Sequence, residues 1–151
     1  MSLYKLGKGL AGGLASNTPP ITIRTAYNAG TDNLPFGYAV AFGGSSIQGA
    51  VMPEDSAAKI VGVVHQNHQT AKDYIAPEED FAITQNGDVF VVAEGAVSPE
   101  DPVFVYTDAG TIGAGKFGTV AEGTNSIELS SCSWLDKTDE GGLAKLSVTI
   151  F

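Results

Sequence analysis

The chain has 151 residues, 17 of them acidic and 8 basic, and a formal net charge of −9 at pH 7. Its hydrophobic fraction of 43% is ordinary for a globular protein, which excludes wholesale disorder and predicts a single domain with its own core. The negative charge repels phosphate backbones, so no nucleic-acid partner is expected. No apolar run approaches the ~20 residues of a membrane span, and the single cysteine, Cys132, excludes an intrachain disulfide.

Residues 1–20 differ in composition from the rest and are predicted to form an extended N-terminal arm ahead of a β module at residues 21–151. Interspersed glycines disfavour a helix there, because each interior Gly costs ~1 kcal/mol relative to Ala. The segment nevertheless carries large apolar side chains that a solvated linker does not need, which favours an arm that orders on a partner. A frayed terminus is the alternative. The candidate partner-contact residues are Leu3, Tyr4, Leu6, Leu10 and Leu14.

The module begins with strand patterns. Residues 21–27 alternate with period two and predict a half-buried strand, and residues 36–42 predict a second. Residues 53–59 begin with a proline and are expected to form one helical turn. The continuous apolar run at 60–64 is typical of a central strand, and the polar stretch 66–79 is predicted to be a surface loop.

Short apolar runs separated by turn residues fill the C-terminal half. Asn86-Gly87 stands between two of them and is the strongest short-range signal for a β-hairpin, because both central residues of a type I′ turn need positive φ. This spacing predicts an all-β fold, either a jelly-roll-like sandwich or a small β-barrel. The predicted strands are 81–84, 88–94, 102–107 and 145–151, with one or two weaker ones between 117 and 134.

Two motifs match the sequence pattern of a binding site but lack the neighbouring structure or ligands that the site requires. Residues 7–12 spell G-x-G-x-x-G, yet no strand precedes them and Pro19-Pro20 follows soon after, so no dinucleotide is expected. His65 and His68 suggest a metal pair, but at i and i+3 of a strand they face opposite sides. Only loop carboxylates would remain to complete such a site. We therefore predict neither a cofactor nor a metal.

Catalytic constellations are also lacking, so the chain is predicted not to be an enzyme. A glycosidase needs two carboxyl groups facing each other across a cleft, whereas the acidic residues here are sequence neighbours in turns. Cys132 with a histidine has no local signature of a nucleophilic pair, and no G-x-S-x-G elbow occurs. The acidic groups considered are Glu54/Asp55, Asp73, Glu78/Glu79/Asp80, Glu100/Asp101 and Asp139/Glu140.

An ordered set of short segments resembles the cement or decoration proteins of tailed double-stranded DNA phages. Each segment is short and apolar, and their order along the chain carries the resemblance, which spans most of residues 21–151. The segments are 35–40 (PFGYAV), 58–64 (AKIVGVV), 87–92 (GDVFVV), 97–105 (VSPEDPVFV), 115–118 (GKFG) and 141–146 (GGLAKL).

The resemblance implies a β module that binds the outer surface of the mature head and bridges neighbouring capsomers, so that the shell is stabilised. Its partners would be the major capsid protein and further copies of itself, in a dimer or trimer, and it would be assembled in the host cytoplasm. Some members of this family use an N-terminal arm for attachment. The acidic charge suits the outside of the head, because packaged DNA would repel it inside.

Two other functions remain open at this point. The second hypothesis is a different structural module of the same particle, such as a tail, baseplate or receptor-binding component, which would have few copies per particle. A small β-barrel hydrolase is the third reading, and it requires paired titratable groups in a pocket.

Overall fold

The computed structural model describes residues 11–15, 21–66 and 72–150, and all regular structure in these ranges is β-strand. The predicted all-β class is confirmed. The strands are β1 (Thr22–Asn28), β2 (Leu34–Pro35), β3 (Ala39–Phe42), β4 (Gly49–Val51), β5 (Ile60–Val64), β6 (Tyr74–Ile75), β7 (Asp80–Ala93), β8 (Phe104–Tyr106), β9 (Phe117–Gly118), β10 (Ser126–Glu128), β11 (Ser133–Trp134) and β12 (Gly142–Thr149).

Five strands close into a small barrel in the order β1, β4, β3, β5 and β7, and β7 pairs back onto β1. The β1–β4 pair is parallel, and the other four pairs are antiparallel. Closure removes the free edges that an open sheet would present. Of the two architectures that the sequence left open, the protein therefore has the barrel, with further strands outside it.

The barrel interior is filled by one of two apolar clusters. Strands β2 and β6 are not part of the five-stranded ring. Their residues Leu34 and Ile75 pair with each other and are 0% and 3% exposed, so they cover the barrel interior. The buried Asn28 side chain holds β6 in this position, because its Nδ2 donates to the Ile75 carbonyl (3.1 Å) and to the Asp32 carbonyl (2.8 Å). The interior cluster comprises Ala26, Leu34, Phe36, Val40, Ala50, Val61, Val64, Ile75, Phe81 and Ile83.

The second cluster lies between the barrel wall and the C-terminal strands. The second half of β7 pairs with β12, β12 pairs with β11, and β8 lies between β9 and β10. Trp134 and Phe117 meet edge to face in this cluster, with ring centroids 6.5 Å apart. The Trp134 indole Nε1 donates to the Pro102 carbonyl oxygen at 3.0 Å, which satisfies its one polar atom.

Strand β5 is buried on both faces, as its continuous apolar run predicts. Ile60 and Val63 belong to the outer cluster, whereas Val61 and Val64 face the barrel interior. Its bounds agree with the predicted run of residues 60–64.

The predicted hairpin at Asn86-Gly87 is wrong. Both residues lie inside the 14-residue strand β7, where Asn86 pairs with Thr22 of β1 and with Thr149 of β12. Long-range pairing along both halves outweighs the local turn preference. A register shift next to Thr22 and the φ of +136° at Gly87 mark the place where β7 passes from the barrel to the outer layer.

Two other local predictions need correction. Residues 53–59 contain no helix; Asp55 instead starts a single turn, in which its carbonyl accepts from the Ala58 N–H at 3.1 Å. The polar stretch 66–79, predicted to be a loop, contains the short strand β6. Its apolar pair is too short to produce a periodic signal.

Candidate functional site

Residues 11–15, the first described part of the chain, are attached to the second half of β7 by backbone hydrogen bonds. The Gly12 N–H donates to the Phe90 carbonyl (2.8 Å), the Phe90 N–H to the Gly13 carbonyl (2.9 Å), and the Ala15 N–H to the Asp88 carbonyl (2.8 Å). This short stretch therefore occupies the edge of β7 that β12 leaves open. These hydrogen bonds attach residues 12–15, the base of the predicted arm, to β7.

Gly12 is required at this anchor. Its φ is +75°, in the left-handed region that favours glycine, and a side chain there would collide with the Val64 carbonyl oxygen. The Gly12 carbonyl also accepts from the Gln66 N–H at 3.0 Å, which connects the anchor to the end of β5. Glycines that disfavour a helix in this segment thus also permit its close approach to the sheet.

The candidate contact residues fall on both sides of the described boundary. Leu14 forms a bridge with Val89 and keeps 38% of its surface exposed, so it lies at the rim of the anchor. Leu3, Tyr4, Leu6 and Leu10 lie outside the described residues.

The histidine candidates do not form a described metal centre. His65 has its Nδ1 3.2 Å from the Thr84 Oγ1, and His68 lies outside the described residues. Within residues 11–15, 21–66 and 72–150, no three His, Cys, Asp or Glu side chains lie close enough together to hold a metal ion.

Glu79 belongs to a local turn. Its carboxylate accepts from the Lys72 Nζ and, at 2.9 Å, from the Ala76 N–H. The Lys72 hydrogen bond first, and then the Ala76 N–H, hold the pKa of Glu79 below its usual range. A carboxyl group of lowered pKa stays ionised, which does not suit a general acid.

Cys132 is buried in the outer cluster, and this burial raises the pKa of its thiol above the usual value. A thiol that stays protonated is a poor nucleophile. The residue therefore behaves as a small apolar member of the core.

A cavity of about 590 Å³ opens beside Asn28 at the barrel and is acidic. Its carboxylates come from Asp32, Glu54, Asp55 and Asp108, and its lining includes no Lys, Arg or His. Such a cavity repels anions. Sequence reasoning treated Glu54 and Asp55 as solvated turn residues and missed the cavity, because Asp32 and Asp108 reach it from distant parts of the chain.

Two large apolar side chains of the described surface are mostly exposed. Ile47 is 75% exposed between β3 and β4, and Val120 is 70% exposed between β9 and β10. Exposed apolar residues are in themselves normal on soluble proteins. No helix of the described residues is long and apolar enough to cross a membrane.

The comparison with protein families gives the decisive observation. The family model described as structural cement protein (E217 gp24/Pam3 gp6) matches residues 2–149, almost the whole chain. The chain belongs to this family. It is a structural protein of the phage virion, and the resemblance stated from the sequence is confirmed.

A solved capsid structure shares the fold of this cement protein. A chain from the capsid of Myoviridae phage XM1 superposes with a TM-score of 0.75 at 15% identity, covering 100% of this chain and 98% of that one. The N-terminal base of the phi29 head fiber gp8.5 has a TM-score of 0.45 and 12% identity, covering 86% of this chain and 95% of that one. No curated protein sequence matches the chain.

Proposed function

We propose that this cement protein binds the outer surface of the mature phage head and bridges neighbouring capsomers without catalysing a reaction. The observation that carries the proposal is the family match over residues 2–149. The major capsid protein is the proposed partner. A clamp across the junction between capsomers would resist the outward pressure of the packaged genome.

The outer side of the head is proposed on electrostatic grounds. A net charge of −9 disfavours a position against packaged DNA, since like charges repel at close range. The acidic cavity at Asp32 and Asp108 adds to this field on the described surface.

The N-terminal arm is proposed as one contact with the shell, through Leu3, Tyr4, Leu6, Leu10 and Leu14. Fixing the base of the arm at residues 12–15 supports this, because a tethered segment meets its partner at a high effective concentration. A dimer or trimer would multiply the contacts further, so modest single contacts sum to tight attachment.

A non-catalytic role is supported by the surroundings of two groups with shifted pKa values. Contacts within a turn lower the pKa of Glu79, and burial in the core raises the pKa of Cys132. Neither residue lines the acidic cavity. A hydrolase would need its titratable groups to converge on a pocket.

The number of copies per virion tests the proposed function. We expect quantitative mass spectrometry of purified virions to find this protein in an amount comparable to that of the major capsid protein, because a clamp must occupy many equivalent junctions. A handful of copies per particle would instead indicate a tail, baseplate or receptor-binding component. Its absence from virions would refute a structural role altogether.

Removing residues 1–10 is expected to weaken attachment to heads and leave the fold unchanged. This deletion removes four of the five candidate contact residues but keeps the hydrogen bonds of Gly12, Gly13 and Ala15 to β7. Binding to heads that lack the protein is measured by co-sedimentation, and folding by thermal unfolding. We expect affinity to fall by about tenfold or more, which corresponds to about 1.4 kcal/mol.

Full-length variants show whether a loss of affinity comes from the apolar side chains of the arm, from its length or from its charge. Replacing Leu3, Leu6 and Leu10 by Ser should reproduce the loss, whereas replacing Lys5 and Lys8 by Gln should have little effect. Unchanged affinity of both the deletion and the triple Ser variant would refute the arm as a contact.

A further inference from the structure

The positive charges of the described surface are unevenly neutralised. Six of the eight Lys and Arg residues lie in the described ranges. Arg24 and Lys59 make no ion pair with a described residue, whereas each of the other four lies within 4.0 Å of a carboxylate. These pairs are Lys72–Glu79, Lys116–Glu94 (3.7 Å), Lys137–Asp139 (3.9 Å) and Lys145–Asp136 (3.1 Å).

The two unpaired cations lie against the same aromatic ring. The Arg24 guanidinium carbon and the Lys59 Nζ are each 5.9 Å from the centroid of Phe42. Arg24 comes from β1, Phe42 ends β3, and Lys59 precedes β5, so barrel closure is what brings them together. Arg24, Phe42, Lys59 and the adjacent Ile47 are called here the basic-aromatic patch.

Arg24 is held in place but incompletely satisfied. The terminal Nη2 donates to the Ile47 carbonyl at 2.7 Å, whereas the buried Nε has no hydrogen-bond acceptor. A guanidinium favours the two oxygens of a carboxylate, which accept from its fork of donors. The patch therefore combines a cation held in place at Arg24 and an exposed cation at Lys59.

The surrounding charge restricts what this patch can accept. An extended polyanion such as a nucleic acid would meet the overall charge of −9. It would also meet the acidic cavity, whose lining includes Phe42 together with Asp32, Glu54, Asp55 and Asp108. One or two carboxylates presented by a protein surface satisfy the cations without this repulsion, and Ile47, which is 75% exposed, offers an apolar contact beside them.

We propose that the basic-aromatic patch receives an acidic side chain, Asp or Glu, of the shell protein to which this cement protein attaches. The inference rests on the proposed function and specifies one of its contacts. Arg24 and Lys59 neutralise the partner's carboxylate, and Phe42 holds both cations in position.

Binding to purified heads that lack this protein tests the proposal. The double variant Arg24→Gln/Lys59→Gln should bind about tenfold more weakly or worse, because a partner carboxylate is left buried and unpaired. The matched control Lys116→Gln/Lys137→Gln makes the same change in net charge at two surface ion pairs. Its affinity should stay within about twofold of the wild type.

A coupling experiment identifies the partner group. A carbodiimide joins a lysine amine to a carboxylate in contact with it, so wild-type protein on heads should give a cross-linked peptide containing Lys59 and an Asp or Glu of the shell protein. Lys59→Arg keeps the charge and lacks the amine. It should therefore bind heads normally and give no such peptide.

The outcomes separate this inference from the proposed function. Wild-type protein that does not bind heads refutes both. If the wild type binds heads, the double variant binds them equally well and no cross-link forms at Lys59, the patch is not a contact with the shell. The proposed function is then unaffected. If the wild type binds a double-stranded DNA probe and the double variant does not, while head binding is unchanged, the patch binds nucleic acid. That result would also refute the proposed carboxylate contact.

Misfolding is excluded by an independent variant. Lys59 is exposed, so Lys59→Glu should keep the thermal unfolding of the wild type. Because it places a negative charge against the partner's carboxylate, it should still lose head binding by about tenfold. Normal head binding by a folded Lys59→Glu variant would overturn the proposal.

Discussion

Replacing Val91 by Asp is expected to unfold the protein or to lower its free energy of unfolding by about 4 kcal/mol or more. Val91 is fully buried in the outer cluster and pairs with Ala144 of β12, which is also buried. An introduced carboxyl group would have no cation or donor there to compensate for its lost hydration. Small domains are stable by about 5–15 kcal/mol, so this loss is a large fraction of the total. Urea unfolding followed by circular dichroism measures it.

The matched control is Val92→Asp on the opposite face of the same strand. Val92 is half-buried and pairs with Leu143, which is 38% exposed. A carboxylate there can reach water, so we expect a loss of about 1 kcal/mol. Equal losses at Val91 and Val92 would contradict the division of β7 into a buried and a half-buried face.

The sequence predicts β7 as strand but not which of its faces is buried. Along residues 89–92 every side chain is apolar, so period-two alternation is masked and Val91 and Val92 look alike. The structure separates them because β7 has an apolar cluster on one face and a partly solvated surface on the other. In β5, by contrast, the apolar run of 60–64 gave correct bounds, because charged Lys59 and polar His65 flank it.

Barrel closure lies beyond a local reading of the sequence. It depends on the parallel contact of Tyr27 with Gly49 and on the antiparallel contact of Val63 with Thr84, both between residues distant in sequence. The three residues of β4 are too few to show a strand pattern in the sequence. Their place in the barrel wall is set by pairing with β1 on one side and β3 on the other. The alternative of a jelly-roll-like sandwich therefore had to remain open.

The two proposed contact surfaces differ in the same way. The arm is a prediction that rests on the glycines and leucines of residues 1–20, which are a local property of the sequence. The basic-aromatic patch was not, because Arg24, Phe42 and Lys59 have no characteristic spacing and meet only through the strand order. A count of charges indicated an acidic protein and gave no sign that two cations would remain unpaired at one place.

Replacing Trp134 by Ala is expected to lower the free energy of unfolding by about 3–5 kcal/mol. Trp134 is 2% exposed, meets Phe117 edge to face and donates to Pro102, so the change leaves a large cavity and an unpaired carbonyl in the outer cluster. Trp134 is the only tryptophan, so unfolding is followed by circular dichroism. The neighbour Leu135 is 38% exposed, and Leu135→Ala should cost no more than about 1 kcal/mol.

Trp134→Phe separates the ring from its hydrogen bond. It keeps an aromatic edge toward Phe117 but removes the indole N–H, so we expect an intermediate loss of about 1–2 kcal/mol. A loss as large as that of Trp134→Ala would contradict the view that packing dominates at this site. Because Trp134 lies in the outer layer and Arg24 and Lys59 lie on the barrel, Trp134→Ala protein that remains folded should bind heads with wild-type affinity. Reduced binding by the folded variant would instead place the outer layer in the contact with the shell.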